Sequence, residues 1–250
     1  LERSQQEERA RAVTAALTQA LAGLEAEHEG IDYGLATASY AASARYAAGD
    51  SFATDSIATA WRMRAVAQTE GFLERHPASL ARGEMRFRLA DLLPADPGHG
   101  GSERARVLYE AILAEDPAFA HRDAAMLNLA SVLREAGDLK GADRRLAALL
   151  ETMPQSDFAP EAHVELGDRA LEFERWSEAE AHFAAAASVP GPLVAMARYK
   201  QGFAALKRGD APAGAEAFAQ LLALPDLSKE TQVDGLSRIA WALRDLGGAP

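Results

Sequence analysis

Cysteine is absent from this chain of 250 residues, and aromatic residues are scarce at 7%. The lack of cysteine excludes disulfides, Cys-ligated zinc and thiol catalysis, but it does not fix the cellular compartment. No apolar run approaches the roughly 18 residues that span a bilayer, so we expect no direct membrane insertion of this segment. The chain starts at Leu1 rather than Met, so we expect the natural start, with any signal peptide, lipid anchor or upstream domain, to be missing from it.

The chain also lacks an excess of positive charge. It has 26 Lys and Arg against 37 Asp and Glu, a formal net charge of -11. An acidic chain has no general attraction to phosphate backbones or anionic lipid, which argues against nucleic-acid binding. Hydrophobic residues make up 48% of the chain, which is enough for a continuous core.

Motifs of catalysis are missing as well. The sequence contains no Gly-rich phosphate loop ending in Lys-Ser or Lys-Thr, no Gly-x-Ser-x-Gly and no His-Glu-x-x-His. Gly98-His99-Gly100-Gly101 has neither the preceding strand nor the Lys of a phosphate site, so we interpret it as a turn. None of the six histidines lies four residues from another on one helix. We therefore expect no enzyme, no metal site and no cofactor.

One spacing of small and bulky residues recurs along the chain and is typical of the tetratricopeptide repeat. The first copy is Leu129-Ala130, Ala142, Leu146 and Pro154, the second is Leu166-Gly167, Ala179 and Phe183, and the third is Gln201-Gly202, Phe218 and Pro225. This pattern predicts an all-α fold, a right-handed α-solenoid of stacked antiparallel helix pairs. The small residues would let the two helices of each pair lie close together.

The regular array is expected over residues 78–250. Its repeats are predicted at about 79–117, 119–154, 159–191 and 192–226, followed by a final unpaired helix at 228–246. The paired helices are predicted at about 79–93 and 102–115, 119–136 and 139–152, 159–173 and 176–188, and 192–208 and 211–223. Ser102 is the expected N-cap of its helix, after an enlarged turn at 94–101.

Residues 1–77 are expected to hold a long first helix and one degenerate, lengthened repeat. Apolar residues at helical spacing predict the first helix over 2–28. Because this apolar stripe lasts under two heptads, it suits packing on the first repeat better than a coiled-coil seam. Glu29-Gly30 is expected to break the helix before two further helices at about 31–48 and 54–75.

Function is expected on the concave groove, which the first helix of each pair lines. The candidate partner-binding residues on this register are Phe87, Asn128, Arg134, Tyr199, Lys200, Phe203, Lys207, Trp241 and Arg244. The same register also places Asp91, Leu127, Ser131, Val164 and Asp168 there. Aromatic and cationic residues together are typical of a binding hot spot. The alternative is that the aromatic residues pack against the next repeat.

Four segments carry a more specific resemblance. Met153–Ala162 resembles P-x-S-x-x-x-P-x-A, and Leu166–Asp168 with Phe173-Glu174 resembles L-G-D-x-x-F. Ala197–Phe203 resembles A-x-Y-K-x-G-W and Leu227–Asp234 resembles L-x-x-E-A-x-x-D, with Phe203 in place of Trp and Thr231 in place of Ala. This combination is similar to tetratricopeptide proteins of the bacterial cell envelope, including those of myxobacterial gliding-motility machinery.

The resemblance implies a periplasmic scaffold that recruits other envelope proteins and does no chemistry. A cytoplasmic adaptor that binds peptide tails is the alternative, and a repeat domain of a larger regulatory protein or enzyme is a third possibility. Some tetratricopeptide domains hold a C-terminal carboxylate with cationic side chains on successive helices. Glu165 and Asp168 would repel such a carboxylate, so we do not extend that role to this chain.

Overall fold

The structure, a computed structural model, describes residues 26–44, 52–93, 100–225 and 227–247. These residues are helical or in turns, with no strand among them. The chain divides into two compact units, Leu1–Arg122 and Asp123–Pro250. This division follows internal contacts, whereas the division expected at residue 77 followed the regularity of the repeats.

Unit 1, residues 1–122, contains four helices in the described residues. They are α1 (26–44), α2 (Phe52–Arg75), α3 (Arg82–Leu92) and α4 (Gly101–Glu115). Successive helices α2, α3 and α4 pack on each other. Phe72 and Met85 are fully buried and form a core with Ala36 of α1.

The expected break at Glu29-Gly30 is wrong, because α1 continues through both residues. Gly30 is exposed and a Cβ there would meet nothing within 4 Å, so this glycine serves no tight turn. Polar contacts hold this stretch to the end of α2. Asp32 pairs with Arg75 at 2.8 Å and with His76 at 2.9 Å. Most of the helix predicted at 2–28 lies outside the described residues, as does 45–51.

Ser102 is not the N-cap of α4. The helix begins at Gly101, and its N-cap is Gly100, which adopts the left-handed conformation with φ of 66°. Glycine adopts that conformation without the Cβ clash that other residues suffer, so the helix starts two residues earlier than a serine cap predicts. Residues 94–99 of the expected enlarged turn lie outside the described residues.

Unit 2, residues 123–250, contains the regular repeats. Its helices are α5 (Arg122–Glu135), α6 (Leu139–Thr152), α7 (Ala159–Glu172), α8 (Trp176–Ala186), α9 (Val194–Lys207), α10 (Ala211–Leu222) and α11 (Lys229–Gly247). We call α5, α7, α9 and α11 the A helices, and α6, α8 and α10 the B helices. The array of helix pairs expected from the repeat spacing is thereby confirmed in this unit.

A Gly-Asp pair forms the turn inside two of these repeats. Gly137 and Gly209 have φ of 82° and 86°, which end the A helix in the left-handed conformation. The carboxylate of Asp138 then accepts a hydrogen bond from the Gly141 backbone at 2.8 Å, and Asp210 caps α10 in the same way. These caps satisfy backbone donors at the first turn of each B helix.

The small residues of the A helices lie directly under aromatic rings of the B helices. A Cβ at Gly167 would lie 2.7 Å from the Phe183 ring, and a Cβ at Gly202 would lie 2.7 Å from the Phe218 ring. Both rings are fully buried. The expected close approach of paired helices is therefore confirmed for α7–α8 and α9–α10.

The joints before α3, α5 and α7 share one turn geometry. The Ser79 backbone donates to the His76 carbonyl, and Phe119 and Ser156 donate in the same way to Asp116 and Met153. A Pro follows the first residue of each turn, where its fixed φ suits the second turn position. A further turn follows each one, so α3 and α5 begin about three residues later than the sequence predicts.

No helix in the described part of the chain is long and apolar enough to cross a membrane.

Replacing Gly202 by Ala should lower the free energy of unfolding. The new Cβ would press on the buried Phe218 ring, and overpacking of this kind costs about 1–3 kcal/mol. The higher helix propensity of Ala returns up to about 1 kcal/mol. Urea unfolding followed by circular dichroism measures the net loss.

Gly34→Ala is the matched control. Gly34 is also helical, but a Cβ there meets nothing within 4 Å, so the variant should gain about 0.5–1 kcal/mol. Equal changes in the free energy of unfolding for Gly202→Ala and Gly34→Ala would contradict the close approach of α9 and α10.

Glu174→Gly should raise stability. Glu174 ends α7 with φ of 56°, where the two other repeats have glycine, and it is the one described non-glycine residue with positive φ. The left-handed conformation costs a non-glycine residue about 1–2 kcal/mol, and glycine removes this cost. Part of the gain is offset, because glycine also gives the unfolded chain more conformational entropy. We expect a net gain of about 0.5–1 kcal/mol in urea unfolding. Glu216→Gly, inside the exposed face of α10, should instead lose about 1 kcal/mol.

Candidate functional site

The candidate site is the groove between the A helices α9 and α11 of unit 2. Tyr199, Phe203 and Lys207 lie four residues apart on α9 and therefore share one face of that helix. Asp234, Arg238 and Trp241 share one face of α11 in the same way. Aromatic rings thus line one wall, and the second wall carries both charge and an indole.

Arg238 is the centre of this groove. Its guanidinium lies 5.1 Å from the ring centroid of Tyr199 and 5.8 Å from that of Phe203. The Phe218 ring of α10 is 6.0 Å away and packs edge-on against Tyr199. Cation–π contacts of a partly desolvated Arg contribute about 1–2 kcal/mol each at most, so this residue holds α11 onto the preceding pair.

A carboxylate and a hydroxyl fix the position of Arg238. Its Nε donates to Asp234 at 2.9 Å, one helical turn earlier. The hydroxyl of Tyr199 also hydrogen-bonds Asp234, and this bond together with the one from Arg238 lowers the pKa of that carboxyl. Burial, followed by the bond to Asp234, raises the pKa of the Tyr199 hydroxyl. Tyr199 therefore stays protonated and Asp234 ionised at neutral pH.

The C-terminal end of the groove is a small apolar cavity with positive charge at its edge. Its volume is about 390 Å³, and its lining residues are Phe203, Leu206, Lys207, Ser237, Arg238 and Trp241. Trp241 is 46% exposed. The ammonium of Lys207 lies 5.5 Å from the Phe203 ring centroid and has no carboxylate within 4.0 Å in the described part of the chain. This end offers rigid apolar surface beside a cation.

The N-terminal end of the groove is wider, about 1010 Å³, and more polar. Tyr199 and Lys200 line it from α9, and Lys229, Thr231 and Asp234 line it from α11. Ser228 caps α11 at this end, since its hydroxyl accepts a hydrogen bond from the Thr231 backbone at 3.1 Å. The two ends share Ser237, so together they form one groove along α9 and α11.

Two of the cationic residues predicted to line the groove form ion pairs with carboxylates of a neighbouring A helix. Lys200 of α9 contacts both carboxylate oxygens of Asp168 on α7 at 2.6 Å. Arg134 of α5 pairs with Glu165 of α7 at 2.7 Å, although burial raises the pKa of that carboxyl. The acidic residues that argued against a carboxylate site thus neutralise the neighbouring cations.

The other predicted residues fall in different surroundings. Phe87 belongs to unit 1, where its ring packs against Tyr109, Phe119 and His121. Asn128 is half-buried on α5, and Arg244 is exposed on α11. Leu127 and Val164 are largely buried, and Val164 also lines a cavity with Arg134, Glu165 and Asp168. The structure brings together Tyr199, Phe203, Lys207 and Trp241.

The sequence analysis did not place Arg238 or Asp234 among the groove residues. Two signals for them were present. Arg238 precedes Ala240 by two residues, as Lys200 precedes Gly202 and Asn128 precedes Ala130. Asp234 and Arg238 also have the four-residue spacing of a helical ion pair.

Two histidines meet inside the α7–α8 pair. The Nδ1 atoms of His163 and His182 are 3.0 Å apart, so one ring must donate a proton and the other accept it. Burial lowers the pKa of both imidazoles, and the neighbouring His182 lowers that of His163 further. The described residues contain no cluster of three or more His, Asp or Glu that would hold a metal ion.

Comparison with solved structures shows the class of the fold. The chain is similar to a tetratricopeptide repeat protein from Parabacteroides merdae, with a TM-score of 0.55, 18% identity, and coverage of 77% of this chain and 74% of that chain. BtubC (BKLC) from P. vanneervenii gives a TM-score of 0.54 at 16% identity, over 89% of this chain and 94% of that one. The C-terminal part of a TPR repeat-containing protein from Cytophaga hutchinsonii gives a TM-score of 0.56 at 14% identity, over 72% of this chain and 65% of that one.

At these identities the similarity shows the fold alone. The fold is a tetratricopeptide-like helical-repeat solenoid, as the repeat spacing predicts. No protein-family model and no curated protein matches the chain.

The His163–His182 pair should make the stability of the protein depend on pH. Burial holds the pKa of both rings below the ordinary value of 6.5, so below that pH the unfolded chain binds more protons than the folded chain. The free energy of unfolding should therefore fall as the pH falls from 6.5 towards the lowered values. Protonation of the accepting Nδ1 would also set two N–H groups against each other across 3.0 Å.

Urea unfolding at several pH values between about 7.5 and 5.5 measures this loss. His163→Gln should make the free energy of unfolding depend less steeply on pH, because one titrating ring is gone. The amide that replaces it can still accept a hydrogen bond. His121→Gln is the control, since His121 is exposed in unit 1 and faces a carboxylate, that of Glu84 at 3.8 Å, instead of a second imidazole. If His163→Gln leaves the pH dependence of the unfolding free energy unchanged, the His163–His182 pair is not its cause.

Proposed function

We propose that this protein is a non-enzymatic scaffold that binds a protein partner in the α9–α11 groove, as part of a bacterial cell-envelope complex. The observation that carries the proposal is the composition of the groove. Trp241 and Arg238 line it beside Phe203 and Lys207, and Trp and Arg are among the residue types that dominate binding energy at protein interfaces.

The rigidity of the groove supports binding as its role. Arg238 lies within 6.0 Å of three ring centroids and is bonded to Asp234, so contacts within the chain already hold the wall that carries Trp241. Preorganised surfaces bind more tightly, because less side-chain and backbone entropy is lost on association. A solenoid built from stacked pairs also presents such a surface without large backbone movement.

Two of the four segments that resemble envelope proteins form walls of this groove. Tyr199 and Phe203 belong to the segment 197–203 on α9, and Asp234 ends the segment 227–234 on α11. The resemblance thus includes both walls of the groove, which supports the proposal of an envelope partner. Motility machinery is one such complex, and its proteins are candidates for the partner.

Capture from separate envelope and cytosolic extracts of the source cells tests the proposal. The full chain serves as bait beside the double variant Lys207→Glu, Trp241→Ala, in which both replaced side chains are exposed and folding should be retained. We expect envelope proteins enriched by the parent to fall about tenfold with the double variant, because hot-spot truncations commonly cost 1–2 kcal/mol or more. Quantitative mass spectrometry of the captured proteins measures this change.

Phe173→Ala is the control, since Phe173 is an exposed aromatic residue of the same unit that lies outside the groove. It should capture the same proteins as the parent. Equal capture by the double variant would refute the groove as the site. Enrichment of cytosolic proteins alone would refute the envelope assignment and favour the adaptor that binds peptide tails.

A further inference from the structure

A second cavity of unit 2 lies between α7 and α9, in the middle of the array of A helices. Its volume is about 730 Å³, and it is formed mainly by the joints that precede these two helices and by their first turns. Arg134 of α5 also lines it. Because the neighbouring A helices α5 and α11 both belong to the described part of the chain, no wall of this cavity is the end of the array.

One wall of the cavity is acidic and belongs to α7 and the turn before it. Its carboxylates are those of Asp157, Glu161, Glu165 and Asp168. Arg134 pairs with Glu165, and Lys200 pairs with Asp168. Asp157 and Glu161 are exposed and have no ion pair among the described residues. Two negative charges of this wall are thus left without a counter-charge.

The electrostatics of Glu165 show which charge the wall favours in a ligand. Burial raises the pKa of this carboxyl, and the charges of Glu161 and Asp168 raise it further, against the opposing effect of Arg134. A positive ligand would stabilise these carboxylates, whereas an acidic ligand would be repelled. The described residues hold no group of three or more His, Asp or Glu placed to bind one metal ion. The favoured cation is therefore an extended one.

The other wall is apolar and belongs to the joint before α9 and the first turn of that helix. Val189 is 47% exposed and Met196 is 38% exposed, and both line the cavity. Pro190 and Pro192 lie between them, and their rings fix φ and leave no backbone N–H. This wall is stiff, and it offers apolar surface with few donors for an acidic ligand. Met196 also lines the α9–α11 groove, so the cavity adjoins that groove.

We propose that the cavity between α7 and α9 binds an extended basic segment of a partner protein, in which two Lys or Arg residues flank an apolar residue. Side chains alternate between the two sides of an extended segment. The two cations therefore face Asp157 and Glu161 on the acidic wall, while the apolar residue between them faces Val189 and Met196. The proposal goes beyond the α9–α11 groove and does not depend on it.

A short peptide with this pattern is the probe. The peptide is Ser-Gly-Lys-Leu-Lys-Gly-Ser, acetylated and amidated so that its ends carry no charge, with a fluorescent label. Fluorescence anisotropy during titration with the full chain measures binding. We expect saturable binding that weakens from about 50 mM to about 300 mM salt, because salt screens exposed charges. The same peptide with Glu in place of both Lys should not bind.

Neutralising the unpaired carboxylates tests the acidic wall. Asp157→Asn with Glu161→Gln should weaken peptide binding about tenfold or more, because two favourable charge interactions are lost. Glu135→Gln with Glu151→Gln is the matched control, since both residues are exposed in unit 2, lie outside the cavity and change the net charge equally. Equal weakening by the two double variants would show attraction to the acidic chain as a whole, and would overturn the proposal.

The apolar wall has its own test. Val189→Ser should weaken binding severalfold, whereas Val107→Ser should not, since Val107 is a valine of unit 1 with similar exposure, 51%. Replacing the peptide Leu by Ser should have the same effect as Val189→Ser. Equal binding of the Leu and Ser peptides would show that the apolar wall takes no part, and would overturn the proposal.

Other occupants give different results. The groove variant Lys207→Glu, Trp241→Ala should bind the peptide as the parent does, and a loss there would place the peptide in the α9–α11 groove instead. Light scattering coupled to size exclusion tests for a second copy of this chain. A parent dimer that Asp157→Asn with Glu161→Gln converts to a monomer would show that the occupant is another copy. Either result, or absence of binding to the parent, would overturn the proposal.

Discussion

Contact between a small residue of an A helix and a bulky residue of its B helix is the constraint on which unit 2 depends. Gly167 and Gly202 accept a phenylalanine ring where even one methyl group would clash. Because interiors pack at near-crystalline density, this contact sets both the distance and the register of each helix pair. The turn residues follow from it, since the A helix must end where the B helix can return over the glycine. Gly137 and Gly209 provide that end with positive φ.

Polar contacts then connect one repeat to the next. Arg134–Glu165, Lys200–Asp168 and the Arg238 cluster each join neighbouring A helices along the face where a partner is proposed to bind. A solvent-exposed ion pair contributes little to stability, about 0–1 kcal/mol, but it fixes which side chains remain for a partner. Lys200 forms an ion pair with Asp168, whereas Lys207 lies beside the Phe203 ring and forms no ion pair among the described residues. The groove cations therefore differ in role although their sequence positions look alike.

Much of the fold could be predicted from sequence because the repeat encodes it locally. The bounds of α6 agree with the predicted 139–152 at both ends, since Asp138 and Gly137 mark its start without reference to distant residues. Gly30 misled the prediction, because a glycine allows a helix to end but does not require it. The site was harder. Whether Tyr199 faces a partner or packs on Phe218 depends on Arg238, which is 39 residues away in sequence and reaches it only through the packing of α11 on α10.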